Sequence, residues 1–317
     1  MVLSIQHLTK VYRKGVRAND DVSLEVAAGE VLGLVGHNGA GKTTLLNQVI
    51  GLVRPTAGSI TIDGLDVVAQ PALARRACSL QPQAHAPLDG VTPRTAIEIM
   101  ARIRGATRRR ARERTADLIE TLELQEWADK PAQTLSGGVR RLTAFCIAAA
   151  EPGRIVMLDE PTNDVDPMRR RLLWNRIRVL GEAGSAVLLV THNIAEAERA
   201  VDRLAVLHHG RIIAEGTPAQ LREGQDDRLR LELVAATEPE ATALAARFPG
   251  AYPTTVSGRR VVLSIDADAA GAALAWARRE HTARAVEEFA VTPVSLEDVY
   301  IGLTGQPEEV DHAGRTA

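Results

Sequence analysis

Glycine, lysine and threonine occur in this chain at a spacing that suits phosphate binding. The segment GHNGAGKT, at Gly36–Thr43, matches the pattern G-x-x-x-x-G-K-[ST] at every fixed position. Glycines let such a loop curl and turn consecutive backbone N–H groups inward, where they hold phosphate oxygens. Lys42 is expected to reach the β- and γ-phosphates of a nucleotide, and Thr43 to offer its hydroxyl group to Mg²⁺. The candidate nucleotide-binding residues here are Gly36, His37, Asn38, Gly39, Ala40, Gly41, Lys42, Thr43 and Thr44.

Two acidic residues follow an apolar segment later in the chain. Ile155–Leu158 has the pattern of a buried strand, and Asp159 and Glu160 come directly after it. Asp159 is expected to hold Mg²⁺ through water. Glu160 is expected to polarise an attacking water molecule as a general base. Together with the glycine-rich loop, the pair predicts a hydrolytic site next to bound phosphates.

The elements that must position these residues follow an α/β pattern. Short β-rich segments alternate with helical ones over the first 224 residues, which predicts a largely parallel sheet. A helix is expected to begin near Lys42, directly after the loop. Thr92–Ala150 contains no strand pattern and predicts a helical subdomain inserted in the α/β core. The predicted strands are Val22–Val26, Glu30–Val35, Ser59–Ile62, Ile155–Leu158, Ala186–Val190 and Arg203–Leu207.

A second domain is predicted after a polar, glycine-containing linker at Glu223–Asp227. Residues 228–305 have the order β-α-β-β-α-β, with a hairpin at Ser257-Gly258, and this order resembles a ferredoxin-like split βαβ unit. The domain prediction is therefore a nucleotide-binding domain at 1–224, with a helical subdomain at about 92–150, and a small α+β accessory domain at 228–305. The last residues, 306–317, are polar and are expected to be disordered.

Composition excludes several classes of protein. The chain has 38 basic and 40 acidic side chains, a formal charge of −2, so binding to nucleic acid through bulk charge is not expected. No apolar stretch approaches the roughly 20 residues that cross a bilayer, and the N-terminus lacks the pattern of a signal peptide. Cys78 and Cys146 have no metal-site spacing and are expected to be buried free thiols.

The motifs resemble, in order, those of the ATP-binding cassette (ABC) ATPases of membrane transporters. LSGG, at Leu135, Ser136, Gly137 and Gly138, resembles the signature sequence of that family. Ser136 is placed to cap the following helix, and the two glycines allow backbone amides to approach a phosphate. In the family, two subunits meet head-to-tail, and the signature of one faces the nucleotide of the other.

Four single residues extend the resemblance. Gln83 matches the glutamine that contacts Mg²⁺ and the transmembrane partner, with Gln81 as a near rival. Asp166 resembles the aspartate of the D-loop, and His192 the switch histidine that senses the γ-phosphate. Tyr12 is placed like the aromatic residue that stacks on adenine. Val139, Asp164 and Val165 depart from the usual Gln, Gly and Leu, and none of them replaces a phosphate or metal ligand.

The C-terminal segment TPVSLEDVYIGLTG, at Thr292–Gly305, resembles the ending of the daunorubicin-resistance type of export ATPases. The resemblance implies a P-loop NTPase cassette that hydrolyses MgATP as a dimer with a second copy of itself. It also implies a separate transmembrane permease, a location on the cytoplasmic face of the membrane, and no nucleic-acid partner. A soluble cassette ATPase acting on nucleic acid or ribosomes is the alternative. A third hypothesis, a module that binds ATP without turnover, is disfavoured by Asp159, Glu160 and His192.

Overall fold

The computed structural model describes residues 1–84, 88, 90–198, 200–223, 227–248 and 252–304, with the side chains of 196 and 252–254 excepted. The linker residues 224–226 and the predicted disordered tail lie outside this description. The chain divides into two compact units between Pro218 and Ala219, a few residues before the predicted end of the cassette at 224. In the described part of the chain, every helix falls short of the length and apolar character that a membrane crossing requires.

The first unit combines two sheets with helices. Its strands are β1 (Leu3–Val11), β2 (Arg17–Val26), β3 (Val31–Val35), β4 (Ala57–Ile62), β5 (Leu65–Asp66), β6 (Cys78–Gln81), β7 (Ile155–Asp159), β8 (Ala186–Thr191), β9 (Arg203–His208) and β10 (Arg211–Gly216). Its helices are α1 (Lys42–Val49), α2 (Pro71–Ala77), α3 (Pro93–Ile103), α4 (Arg108–Thr121), α5 (Gly137–Ala149), α6 (Pro167–Glu182) and α7 (Ile194–Ala197). Helix α8 (Pro218–Arg222) begins at the division between the units.

The larger sheet carries the segments of the predicted site. Its six strands follow the order β10-β9-β3-β8-β7-β6, and all neighbours are parallel except β10 and β9. Strands β3, β7 and β8 are buried along their whole length, because helices and the second sheet cover both faces. The parallel α/β core is thus confirmed.

The second sheet, β2-β1-β4-β5, is antiparallel. Its strands β2 and β4 were predicted in part, at Val22–Val26 and Ser59–Ile62, but β1, β5 and the separate antiparallel sheet were not. Strand β1 is irregular at His7, which has φ 49°, and its pairing register shifts between Ile5 and Leu8. This bulge interrupts the alternation of apolar and polar residues by which a strand is recognised. One apolar cluster joins the two sheets and α1, and it includes Ile5, Leu34 and Leu45.

The residues between Thr92 and Ala150 form helices and no strand. The N-terminus of each principal helix is capped by a side-chain hydroxyl group, which satisfies a backbone N–H that the helix itself leaves free. Thr92 caps α3, Thr107 caps α4 and Ser136 caps α5. A helical insert therefore separates the loop-bearing half of the cassette from β7.

The second unit has its own sheet and core. Its elements are β11 (Arg228–Ala235), α9 (Glu238–Arg247), β12 (Tyr252–Ser257), β13 (Arg260–Asp266), α10 (Ala270–Thr282), β14 (Val286–Pro293) and α11 (Leu296–Thr304). The antiparallel strand order β12-β13-β11-β14 is that of a ferredoxin-like sheet, as the sequence order indicates. The hairpin turn contains Gly258 and Arg259, one residue later than expected. The core includes Leu231, Leu263 and Trp276.

Candidate active site

The glycine-rich loop connects β3 to α1 and is supported from β2. Gly41 has φ +109°, and a Cβ atom there would collide with the carbonyl oxygen of Ala18, so only glycine fits. The buried side chain of Asn19 donates from Nδ2 to the carbonyl oxygen of Gly41 at 3.3 Å. Gln48, on α1, donates from Nε2 to Asn19 Oδ1 at 2.7 Å. These contacts fix the end of the loop where the helix begins.

Lys42 is held inside the loop. Its side chain is buried, and Nζ donates to the carbonyl oxygens of Gly36 and, at 3.1 Å, His37. The ammonium group of Lys42 therefore lies inside the loop, next to the space that a bound phosphate would occupy. This position is compatible with the predicted contact between Lys42 and the β- and γ-phosphates.

A cavity of about 180 Å³ opens at this loop. It brings together segments that are far apart in the sequence: the start of β2, the loop, the start of α1, the second residue after β6, and the end of β7. Its described lining residues are Ala18, Asn38, Gly39, Ala40, Gly41, Lys42, Thr43, Thr44, Gln83, Asp159 and Glu160. Gln81, the rival of Gln83, is fully buried, and its Nε2 donates to the carbonyl oxygen of Arg141 at 3.4 Å. The structure thus brings Gln83 to the cavity.

Asp159 and Thr43 place two oxygen atoms that could bind a metal ion side by side in the cavity wall. Thr43 Oγ1 donates to Asp159 Oδ2 at 3.1 Å. Burial raises the pKa of Asp159 above its ordinary value, and the negative charge of Glu160 raises it further, against the opposing effects of the Thr43 hydrogen bond, Lys42 and Arg141. A hydroxyl and a carboxylate oxygen at one wall are ligands that Mg²⁺ prefers. The donor set therefore fits that ion.

Glu160 and His192 meet where two neighbouring parallel strands end. Glu160 has φ 52°, and its N–H donates to the carbonyl oxygen of Val190 in β8 at 2.9 Å. This turn out of β7 places the carboxylate so that Oε2 is 2.9 Å from His192 Nδ1. The glutamate side chain is 4% exposed and the histidine side chain 34%, so the pair reaches from the cavity wall toward solvent.

The signature segment lies at the start of α5. Ser136 Oγ accepts from the N–H of Val139 at 3.4 Å, which caps the helix as expected. Gly138 is packed so closely against the backbone of Asp164 that a Cβ atom would collide with its carbonyl oxygen. Leu135–Gly138 are not among the described residues that line the cavity.

Two further predicted residues lie away from the cavity lining. Asp166 caps α6: its Oδ1 accepts from the N–H of Arg169 at 3.1 Å, and its Oδ2 is 3.0 Å from Arg169 Nη1. Partial burial alone would raise the pKa of Asp166, but the hydrogen bonds and charge of Arg169 lower it overall. Tyr12 is exposed, with Lys10 Nζ 5.1 Å from the ring centroid. An exposed aromatic face remains open to stacking.

One supporting residue of the site, Arg141, was not predicted. This buried arginine on α5 donates from Nη1 to the carbonyl oxygens of Gln83, at 2.7 Å, and Pro82, at 3.3 Å. It therefore joins the signature helix to the segment that carries Gln83. The signal was an arginine at a buried position of a mostly apolar helix, because a guanidinium group is buried only where acceptors surround it.

A phosphate-binding loop between a parallel strand and a helix, with acidic residues at the end of a nearby strand, defines a P-loop nucleoside triphosphatase. Residues 19–163 match the family model described as ABC transporter. The daunorubicin/doxorubicin resistance ATP-binding protein DrrA of Streptomyces peucetius is 37% identical over 95% of this chain and 92% of its own length.

The Nod factor export ATP-binding protein I of Mesorhizobium japonicum is 34% identical over 92% of this chain and 83% of its own length. Among solved structures, a dimeric ATP-binding cassette in a post-hydrolysis state, bound to ADP and Pi, is similar to this chain. The similar region covers 68% of this chain and 98% of the chain in that structure. It has a TM-score of 0.63 at 25% sequence identity. The chain therefore belongs to the ABC family of ATP-binding proteins, and it binds and hydrolyses ATP.

Proposed function

We propose that this chain is the ATPase subunit of an exporter, that it works as a head-to-tail dimer, and that it drives a separate transmembrane permease from the cytoplasmic face of the membrane. The observation that carries the proposal is that LSGG starts a capped helix but does not line the cavity of its own chain. Because the signature of one chain does not line that chain's own cavity, we infer that the signature of a second copy completes the site.

Nucleotide binding is assigned to the loop and the residues around it. Backbone N–H groups of Gly36–Thr43 and the start of α1 hold the phosphates, and Lys42 neutralises their charge. Tyr12 stacks on the adenine. Thr43, Asp159 and Gln83 hold Mg²⁺, which when bound neutralises phosphate charge and polarises the phosphoryl oxygens. Leu135–Gly138 and Asp166 of the second copy contact the same nucleotide.

Hydrolysis is assigned to Glu160 and His192. The glutamate carboxylate lines the cavity and accepts a proton from the attacking water. The imidazole, 2.9 Å away, orients that carboxylate and stabilises the charge that develops on the γ-phosphate. Because the pair is joined through the ends of β7 and β8, a shift of either strand changes the alignment of the base.

Glu160→Gln tests the catalytic assignment. The amide cannot accept the proton of water, so we expect steady-state ATP hydrolysis to fall at least about 100-fold while nucleotide binding persists. Glu126→Gln is the matched control, because Glu126 forms an exposed pair with Lys130 and should leave turnover unchanged. Turnover of Glu160→Gln near that of the parent would remove Glu160 from this role.

Export is supported by the name of one relative, which concerns the export of Nod factor. The name of the other concerns resistance to daunorubicin and doxorubicin, and because its identity to this chain is higher, 37% against 34%, we propose drug efflux. Action on nucleic acid or ribosomes is the alternative. Co-expression with a neighbouring gene product of about six apolar spans tests the choice. Stimulation of ATP hydrolysis by that partner supports export, and stimulation by RNA or DNA supports the alternative.

A further inference from the structure

Three histidines form a cluster that includes one residue of the phosphate loop. His37 belongs to the loop, His208 ends β9, and His209 begins the turn to β10. Their ring centroids are 5.2 Å apart for His37 and His208, 5.2 Å for His37 and His209, and 4.2 Å for His208 and His209. None of the three is among the described residues that line the nucleotide cavity. The cluster is therefore a separate feature of the fold.

The nitrogen atoms of the cluster are available as ligands. His37 Nδ1 lies 2.7 Å from the carbonyl oxygen of Asn38, so Nδ1 carries the proton and Nε2 keeps its lone pair. His37 Nε2 and His208 Nδ1 are buried with no hydrogen-bond partner in the described part of the chain. Unpaired buried nitrogens cost free energy, and a carbonyl that fixes the tautomer of an imidazole is the usual companion of a metal-binding histidine.

The spacing of the three side chains also suits a cation. One ligand atom from each residue can be chosen so that all three lie within 4.8 Å of one another. Nitrogens on one tetrahedral ion are about 3.4 Å apart. The exposed ring of His209 can close this difference by a rotation of its side chain.

We propose that His37, His208 and His209 bind a divalent transition-metal ion of the Zn²⁺ class. Three neutral imidazoles with one position left to water form a known arrangement for this ion, whereas Mg²⁺ and Ca²⁺ prefer oxygen. The site is distinct from the Mg²⁺ site proposed at Thr43 and Asp159, and its existence does not depend on ATP hydrolysis.

A bound ion would connect the phosphate loop to the β9–β10 turn. The two are already joined by one hydrogen bond, from the N–H of Gly210 to the carbonyl oxygen of Ala40 at 3.0 Å. The carbonyl oxygen of His37 also accepts from Lys42 Nζ. The ion would thus add a second restraint between the loop and the β9–β10 turn.

Titration of the tag-free, chelator-treated full chain with Co²⁺ tests the site, with Zn²⁺ added as a competitor. We expect one ion per chain, visible d–d absorption typical of nitrogen-bound Co²⁺ in tetrahedral geometry, loss of that absorption on addition of Zn²⁺, and a rise in Tm with Zn²⁺. His209→Asn should weaken binding at least about 100-fold and abolish the Tm rise. Asparagine tolerates the φ of 45° at this position, so the variant should fold.

Two variants exclude other sites. His7→Asn is the matched control, because His7 is an exposed histidine paired with Asp21 at 2.8 Å, and its loss should leave Co²⁺ affinity unchanged. Glu160→Gln should also leave the Co²⁺ affinity unchanged, because Glu160 lines the nucleotide cavity and is not one of the three histidine ligands. Equal Co²⁺ affinity in the parent chain and His209→Asn, or loss of binding in Glu160→Gln alone, would place the ion elsewhere and overturn the proposal.

Discussion

Asp159 lies in the cavity wall, where the fold disfavours its ionised form. Burial is the largest cause of its raised pKa, and one hydrogen bond from Thr43 does not offset it. The folded protein therefore binds a proton at Asp159 more tightly than the unfolded chain does. Stability then falls as the pH rises from the ordinary value of 3.8 through the folded pKa, and the whole cost is present above the folded pKa.

Asp159→Asn is expected to raise the Tm of the nucleotide-free protein in EDTA at pH 7.5. The gain should shrink as the pH is lowered toward 3.8, because the carboxyl group of the parent becomes protonated and carries less of the cost. Thermal melts over a series of pH values measure both effects, and hydrolysis should be lost in the same variant. Asp129→Asn, at an exposed pair with Arg94, should change Tm little. A lower Tm of Asp159→Asn at pH 7.5 would contradict the argument.

Asp164 occupies a position that favours glycine and lies beside the signature. It has φ 62°, and its Oδ2 would be 3.5 Å from a Cβ atom at Gly137. Its carboxylate therefore lies at the N-terminal end of α5, where we propose that the phosphate of the partner's nucleotide binds. Two negative charges about 4 Å apart repel by about 1 kcal/mol in water.

Asp164→Asn should lower the ATP concentration for half-maximal hydrolysis about fivefold, which is ~1 kcal/mol. Asparagine keeps the tolerance for positive φ and removes only the charge. Asp63→Asn is the control, since Asp63 also has a positive φ, 48°, and forms an exposed pair with Arg154. An unchanged or increased ATP requirement in Asp164→Asn would show that the carboxylate does not oppose the nucleotide.

The candidate site residues that the sequence indicates without reference to a family are those contained in short contiguous motifs. The loop at Gly36–Thr43 and the acids after β7 carry their chemistry in neighbouring positions, so the sequence shows them directly. Arg141 and Asn19 were missed because each supports the site through a tertiary contact with a distant segment. The histidine cluster was missed for the same reason: the strand order brings β9 beside β3, and no sequence spacing shows it.

At the scale of elements, the start of α5 combines a structural and a functional role. Ser136 Oγ accepts from the N–H of Val139, yet its O–H remains able to donate to a phosphate oxygen. Thr107 caps α4 in the same way, accepting from the N–H of Arg110 at 3.3 Å, in a helix with no predicted nucleotide contact. The two caps allow stability and function to be separated.

Ser136→Ala and Thr107→Ala should each cost about 1 kcal/mol, and so lower Tm by about 2–4 °C. Ser136→Ala should also reduce ATP turnover about tenfold or more, because it removes a hydrogen bond to a charged group in the partner's site. Thr107→Ala should retain the turnover of the parent. Equal turnover in the two variants would limit Ser136 to capping.

The elements that sequence patterns predicted well are those with one strong local signal. The buried strand Ile155–Asp159 was predicted at nearly its observed bounds, and the stretch 92–150 was predicted as helical. Strand β6 (Cys78–Gln81) is only four residues long and was not recognised. Strand β10, with a regular alternation of exposed and half-buried residues, has too little apolar character to stand out. Edge strands carry a weak pattern because only part of their surface is buried.

At the scale of the whole molecule, the chain contains two units with separate cores. The cluster around Ile5, Leu34 and Leu45 belongs to the first unit, and the cluster around Leu231 and Trp276 to the second. Each unit therefore has the apolar core that a domain needs. We propose that the second unit is an accessory domain, because every residue assigned to ATP lies in the first.

The central claim is that two copies of this chain enclose ATP, each completing the site of the other. Analytical ultracentrifugation of Glu160→Gln with saturating ATP and Mg²⁺ tests it directly, since binding energy from two shared nucleotides holds the dimer while hydrolysis is blocked. The account predicts a dimer of about twice the 34.1 kDa chain mass with ATP. It predicts a monomer when Ser136→Ala and Gly137→Leu are added, since a Cβ atom at Gly137 lies at an ordinary contact distance, 3.5 Å, from Asp164 Oδ2. A strictly monomeric Glu160→Gln chain saturated with ATP would contradict it.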